Sequence, residues 1–588
     1  MVRCRSVAAR LPVTDSTHAS ASLAEGARPP ARLNAREAWL TAAAIFTLAL
    51  LVRAVAAAVV VFPVPEDTAY YVGVARNVVD GHGLVTDSLW SFQTQPLVVP
   101  RGAFEIWMPM PAFLSLIPMA IAGSASWLRA AQVWSVLVSA TIPVLAWRLA
   151  VDAAVERRLP EPRVRVLAIG VGLVCVILGP LVMYGALPDS TAPFAALILA
   201  ACLLMSRISA AATTTGPATT TAPATAARDR RLIGLGAIFG LAILTRSEAV
   251  WAGVAWLVVA WFWSPGTRRD RAIRIAIPAA VAVLFYVPWA VRDWLVFGTP
   301  LPGQTVSNAF FTSHMDVFAY ADPPTLARYL AQAPGTIVGQ HVAGFTHDVI
   351  SVLIVQGFPI GLLGFLGLPF VWRLRAVRAL LLTAALTLIV TSLVFPVATQ
   401  NGTFLHAAGA VYVLLVIACL FGLDAFIGWV GRIRHWYRPV AWLGPAFAVA
   451  VAIPIGGLSI YNLAHNASDT QTHYQDLAAA LDDVGLPLDA QGPVIANHPV
   501  WLAETSRIRT VALPDESPAS VLRLSRQFGS KLLVIELPDE GRHWPDVLGD
   551  GSAAARCFSE VQLAGNSLVA PANRASLARF HVFRIVCP

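Results

Sequence analysis

"PEDTAYYVGVARNVVDGHGLV", residues 65–85, follows directly on the apolar run "WLTAAAIFTLALLVRAVAAAVVVF" at 39–62, yet it opens with two acids, Glu66 and Asp67. From Asp67 onward, Tyr71, Val74, Ala75 and Val78 recur at the i, i+3, i+4, i+7 spacing of one helical face. Gly73, Arg76, Asn77 and Asp80 take the other face. A half-apolar helix beginning where a membrane-length run ends is expected to lie flat on the membrane surface and to stop at "DGHG".

The surrounding chain makes the membrane certain. It has 588 residues, of which 57% are hydrophobic and 13% charged, about half the roughly 25% charge of a soluble protein. Apolar runs near the roughly 20 residues that cross a bilayer recur between 39 and 460. The first is too long for a signal-peptide core and reads as an uncleaved anchor. Residues 1–37 before it form an Ala/Ser/Arg-rich tail, expected to be disordered and cytoplasmic.

Charge decides the count. Spans are expected at 39–62, 127–150, 165–186, 192–206, 232–245, 249–263, 275–291, 349–370, 379–397, 404–428 and 440–460, eleven in all. The N-terminal tail and the loops on its side then hold 24 Arg, against five in the opposite loops. The positive-inside rule places the 24 in the cytoplasm. This requires "FEIWMPMPAFLSLIPMAIAG", 104–123, to remain a bent surface helix, as Pro109, Pro111 and Pro118 suggest. Residues 63–126 therefore form a first outer loop with two juxtamembrane helices, and 208–230 a cytoplasmic low-complexity linker.

Residues 461–588 are delivered outside and read as a small α/β domain. "GPVIAN", "IRTVAL" and "KLLVIEL" are strands interleaved with the helix "SPASVLRLSRQFG". "CFSEVQLA" and "ARFHVFRIVC" close the domain as an antiparallel pair, which would join Cys557 to Cys587 by a disulfide in an oxidising compartment. Cys175, Cys202 and Cys419 fall inside spans and read as buried thiols. No glycine-rich phosphate loop follows a strand, and the arginines are explained by topology, so no nucleotide or nucleic-acid partner is expected.

"DTAYYVGVAR" resembles the first-loop motif of the GT-C glycosyltransferases, in particular the protein O-mannosyltransferase and lipid A aminoarabinose transferase (family-39-like) branch. That pattern is roughly Asp-Glu-x-x-Tyr followed by Ala-Arg, and Asp67, Tyr71, Ala75 and Arg76 fall in its register. The gap to "DGHG", "GLAILTRSEAV" at 240–250 and "RDWLVFGTPLPG" at 292–303 extend the likeness over most of 39–460. Two positions depart. Thr68 stands where the motif has Glu, and "WMPMP" lacks the lysine that the family directs at the donor phosphate.

The resemblance implies a GT-C-like transmembrane domain over 38–460. It implies a multi-pass cell-membrane enzyme that moves a sugar from a polyprenyl-phosphate donor to an acceptor hydroxyl of the cell envelope, on a protein, glycan or lipid. Asp67 would be the general base and the anomeric centre would invert. Because the leaving group is a phosphate, a cation serves better than a general acid. Arg246, between two short apolar runs, is the first candidate, followed by Arg53 in the outer half of the first span and by Arg101. Tyr71, Arg76, Asp189 and His406 complete the expected substrate-binding set. Asp67 and Asp189 together could ligate a divalent cation, but no Asp-x-Asp pair occurs in the outer loops, and no metal or other cofactor is assigned. Two other readings fit such a chain: a transporter or lipid flippase, and an inactive GT-C-like scaffold of the envelope.

Overall fold

The computed structural model describes residues 34–123, 127–214, 222–303, 306–436, 440–563 and 574–587. Most of the 1–37 tail and the centre of the 208–230 linker lie outside the described residues. The chain is an α-helical, multi-pass membrane protein with a small sheet domain. Among the described residues, eight helices are long and apolar enough to cross a membrane, from Ala35–Val59 to Leu443–Asp483. Shorter helices complete the bundle. Glu161–Ile177 and Gly179–Met183 share the expected 165–186 span, and Ala249–Trp263 forms another.

Two elements differ from expectation. The 349–370 span is broken: its first residues continue a helix from Pro334 to Gln356, and the Ile360–Gly367 helix starts after Pro359. Proline lacks the N–H that would continue the ladder and clashes with the turn before it. The second juxtamembrane helix starts at Met110 rather than Phe104 and ends at Ala122. Its 13 residues rise about 20 Å, short of a roughly 30 Å hydrocarbon core.

The first juxtamembrane helix is Glu66–Val79. Two acids in its first turn suit the helix dipole, and Gly81 and Gly83, both at φ 85°, end it in the left-handed region that glycine tolerates. It does not lie with its polar face free. Arg76 and Asn77 are buried; Arg76 pairs with Glu504 at 2.6 Å, and Asn77 donates to Asp87 at 2.9 Å. The helix is enclosed between the bundle and the Pro499–Ser506 helix of the C-terminal region, because charged partners there replace water on its polar side.

The boundary expected at 460–461 falls inside one continuous helix of 41 residues, Leu443–Asp483. At 1.5 Å per residue it is about 60 Å long, and it carries the last crossing directly into the sheet domain. The strands are β1 (Val85–Thr86), β2 (Ser88–Leu89), β3 (Arg101–Gly102), β4 (Val494–Ala496), β5 (Thr510–Ala512), β6 (Leu532–Glu536), β7 (Phe558–Glu560) and β8 (Phe580–Ile585). Strands β1 and β3 pair by themselves, and the rest form one sheet in the order β2-β5-β4-β6-β8-β7. The first four of these run parallel, β8 is antiparallel to β6, and β7 is antiparallel to β8. Strand β6 is buried at all five positions, as a strand covered on both faces should be. Strand β2 belongs to the first outer loop, so that loop supplies an edge of the C-terminal sheet.

Cys557 and Cys587 are joined at the β7–β8 edge with Cα atoms 5.1 Å apart. With a sequence separation of 30, the bridge should stabilise the sheet domain by about 3–4 kcal/mol in the chain-entropy model. Mass spectrometry of unreduced protein should find both cysteines protected from alkylation. Free labelling of both would contradict the bridge.

Candidate functional site

Asp67 lies in the first turn of the Glu66–Val79 helix, whose N-cap is Pro65 with no side-chain cap bond. Its carboxylate is therefore not spent on capping. It faces His406, with Asp67 Oδ2 to His406 Nε2 at 3.5 Å. His406 sits in the short Thr403–Ala407 helix just before the Gly409–Ile433 span. On the other side of the ring, His406 Nδ1 is 2.8 Å from Thr191 Oγ1 and 3.4 Å from Asp189 Oδ1. The Thr191 hydroxyl and amide both donate to Asp189 Oδ1 at 2.6 Å. Asp189 thus does what an acid before a helix usually does, anchoring the start of the Thr191–Thr214 helix, and it also faces the imidazole. The result is a buried line from Asp189 through Thr191 and His406 to Asp67.

Arg246 closes the group, from the turn between the Ala222–Ile243 and Ala249–Val258 helices. It pairs with Glu248 at 2.7 Å and donates to Ser190 Oγ at 2.9 Å and to the Thr403 carbonyl at 3.3 Å. Tyr71 approaches Ser190 by its hydroxyl and feels the charges of Asp67 and Arg246. Asp67, Asp189 and Arg246 come from turns or helix starts, and His406 from the short helix that precedes a span.

Burial sets the protonation. It raises Asp67 above the usual carboxylate range, against the opposing pull of His406, and Asp189 adds to the rise. Burial would raise Asp189 as well, but His406 and the Thr191 donors outweigh it and hold that carboxyl low. Burial would lower His406, yet Asp189 and Asp67 together raise it. The imidazolium is thus matched to Asp189, while Asp67 is the more basic carboxylate.

The other expected residues are elsewhere. Arg53 is wholly buried within the bundle, donating to the carbonyls of Val176 at 3.1 Å and Cys175 at 3.2 Å; helix carbonyls, not headgroups, satisfy it. Arg76 lies on the opposite face of its helix, on Glu504. Arg101 pairs with Glu105 at 3.0 Å and donates to the carbonyls of Ser91 and Thr94. Arg53, Arg76 and Arg101, expected at a donor site, each have partners inside the fold.

The divalent cation that Asp67 and Asp189 together could ligate gains a third candidate ligand in His406. Asp67, Asp189 and His406 each offer a ligand atom within 4.8 Å of the others, and buried Asp189 Oδ2 has no hydrogen-bond partner. Two carboxylates and an imidazole suit a divalent cation. The ligands are distant in sequence, so a search for Asp-x-Asp could not find them. Sequence reading also missed Thr191, Ser190 and Trp107. The Trp107 indole neighbours Asp67 and favours its charged form, from the very segment that lacks the lysine.

No protein-family model and no curated protein sequence matches the chain. Solved structures do. The archaeal oligosaccharyltransferase AglB of Archaeoglobus fulgidus, in complex with an inhibitory peptide and a dolichol-phosphate, aligns with TM-score 0.50 and 13% identity over 88% of this chain and 72% of its own. The Archaeoglobus fulgidus oligosaccharyltransferase in complex with Zn and sulfate aligns with TM-score 0.51 and 13% identity, over 87% and 71%. ArnT from Cupriavidus metallidurans, bound to undecaprenyl phosphate, aligns with TM-score 0.50 and 14% identity, over 93% and 98%. Both kinds are GT-C membrane glycosyltransferases, and the chain described here has the GT-C fold.

Proposed function

We propose that this protein is a membrane glycosyltransferase that moves a sugar from a polyprenyl-phosphate donor to an acceptor hydroxyl, with inversion, on the extracytoplasmic side. The observation that carries the reading is the meeting of Asp67, Asp189, His406 and Arg246 at one end of a GT-C bundle. The relatives of that fold bind dolichol-phosphate or undecaprenyl phosphate.

Asp67, raised in basicity by burial, takes the proton of the acceptor hydroxyl as its oxygen attacks the anomeric carbon. The bond to the phosphate oxygen breaks, and the phosphate leaves as an anion. The Arg246 guanidinium supports that anion from beside Asp67. Asp189 and Thr191 orient His406, which in turn holds Asp67 in place. The arginine asymmetry between the two sets of loops supports the outer side. Placement of the charged groups at helix ends rather than at mid-bilayer disfavours a transporter.

The ligand geometry favours a second reading of the same site, in which Asp67, Asp189 and His406 hold a divalent cation. A cation bound there would supply a Lewis acid for the leaving phosphate. Purified protein incubated with tritium-labelled undecaprenyl-phosphate hexoses and pentoses should release label with inverted anomeric configuration. Turnover that survives dialysis against EDTA fits Asp67 as a base without metal. Turnover lost to EDTA and restored by Mg²⁺, Mn²⁺ or Zn²⁺ fits the cation reading. A parent enzyme that releases no label from any of these donors contradicts the proposed function.

A further inference from the structure

Asp67 has an acidic neighbour, Glu66, that the mechanism above does not use. Consecutive helical residues point about 100° apart, so the two carboxyls diverge: Asp67 toward His406, Glu66 toward the C-terminal region. Glu66 is enclosed there. Trp90 Nε1 donates to Glu66 Oε2 at 3.2 Å, buried Glu66 Oε1 has no hydrogen-bond partner, and the backbone amides of Val500 and Trp501 lie near the carboxyl and favour its charged form. Those amides are in the first turn of the Pro499–Ser506 helix, where they have no partner within their own helix. His498 Nδ1, just before that turn, lies 3.7 Å from Glu66 Oε1.

The two acids are also linked through aromatic rings. Trp90, which holds Glu66, packs on Trp107 with ring centroids 4.8 Å apart, and the Trp107 indole neighbours Asp67 and favours its charged form. Tyr70 packs on the same Trp107 ring at 4.2 Å, and Phe318 packs on Trp90 at 4.9 Å. With rings on both sides, neither indole can turn freely. The Pro499–Ser506 helix meets the Glu66–Val79 helix a second time through Glu504 and Arg76, so the catalytic helix is fastened at both ends.

We propose that Glu66 is a positioning residue for Asp67: enclosed against His498 and the start of the Pro499–Ser506 helix, it sets Trp90, which sets Trp107 and through it the Asp67 carboxylate. The C-terminal domain then serves the chemical step itself and not only the capture of an acceptor. The inference rests on Asp67 being the base.

The test compares Glu66→Ala, Glu66→Gln, Asp67→Asn and the double variant Glu66→Ala/Asp67→Asn in the full-length protein, with label release from the tritiated undecaprenyl-phosphate sugars. Glu66→Ala should lower kcat about tenfold or more with KM for the donor unchanged. Glu66→Gln, which keeps an oxygen for the Trp90 indole, should recover most of that loss. In the Asp67→Asn background, Glu66→Ala should cost nothing further. If Glu66→Ala does not fold, Trp90→Phe carries the same expectation, since it keeps an aromatic ring and removes the N–H together with one ring of the indole.

Glu66→Ala with parent kcat, or a Glu66→Ala loss that multiplies fully with Asp67→Asn, overturns the proposal while Asp67 remains the base. Equally, a loss confined to KM overturns it. If Asp67→Asn itself turns over normally, the base assignment fails, and the positioning role fails with it.

Discussion

Replacing Asp67 by Asn is expected to lower turnover about 10²-fold or more, the scale of a lost general base, while the protein still folds and inserts. The asparagine keeps the shape of the side chain, and loses the negative charge and with it the ability to take a proton. Helix formation should not suffer, because Pro65 begins the helix and no side chain caps it. Rates of sugar release from labelled donor, with size-exclusion profiles as the check on folding, decide the matter. Near-parent turnover in a well-folded variant would remove Asp67 from the mechanism.

Arg246→Gln should act on the donor. A charged hydrogen bond is worth about 1.5–3 kcal/mol, so the Kd for undecaprenyl phosphate should rise by roughly one to two orders of magnitude. Two of the guanidinium's nitrogens are engaged by Glu248, Ser190 and the Thr403 carbonyl, which fixes its plane. It is therefore held rigid within the field of the Asp67 carboxylate, where the sugar must sit. Arg53→Gln is the matched comparison. Its guanidinium is taken up by bundle carbonyls, so its loss should reduce thermal stability and leave donor Kd unchanged. The opposite pattern, with Arg53→Gln abolishing donor binding and Arg246→Gln not affecting it, would overturn the assignment.

Much of this molecule is legible along the chain. Membrane segments show because a bilayer demands long apolar runs whatever their neighbours are. The juxtamembrane helix shows because its apolar residues keep a 3.6-residue period. Asp67 is legible through its register with Tyr71, Ala75 and Arg76. The strands of the C-terminal region are legible because β-rich apolar runs alternate there with turn residues. Arg246 can be picked out as a lone cation between two short apolar runs.

Other features depend on residues far apart in sequence. Asp189, Thr191 and His406 form a line to Asp67 only because the turns before two separate spans meet at one bundle end. Each residue also has an ordinary local reading, and Asp189 in fact fulfils one by anchoring a helix start. Arg53, Arg76 and Arg101 look like phosphate ligands in the sequence, because a buried arginine needs partners and the chain does not say which. The fold gives them backbone carbonyls, Glu504 and Glu105. Glu66 stands one residue before the motif, where the resemblance assigns nothing. Its surroundings appear only when β2 joins β5 and the Pro499–Ser506 helix docks on the juxtamembrane helix. Periodicity and hydropathy are local properties that sequence determines by itself. Which polar group satisfies which other is decided by tertiary packing, since burial obliges each polar group to find a partner without naming it.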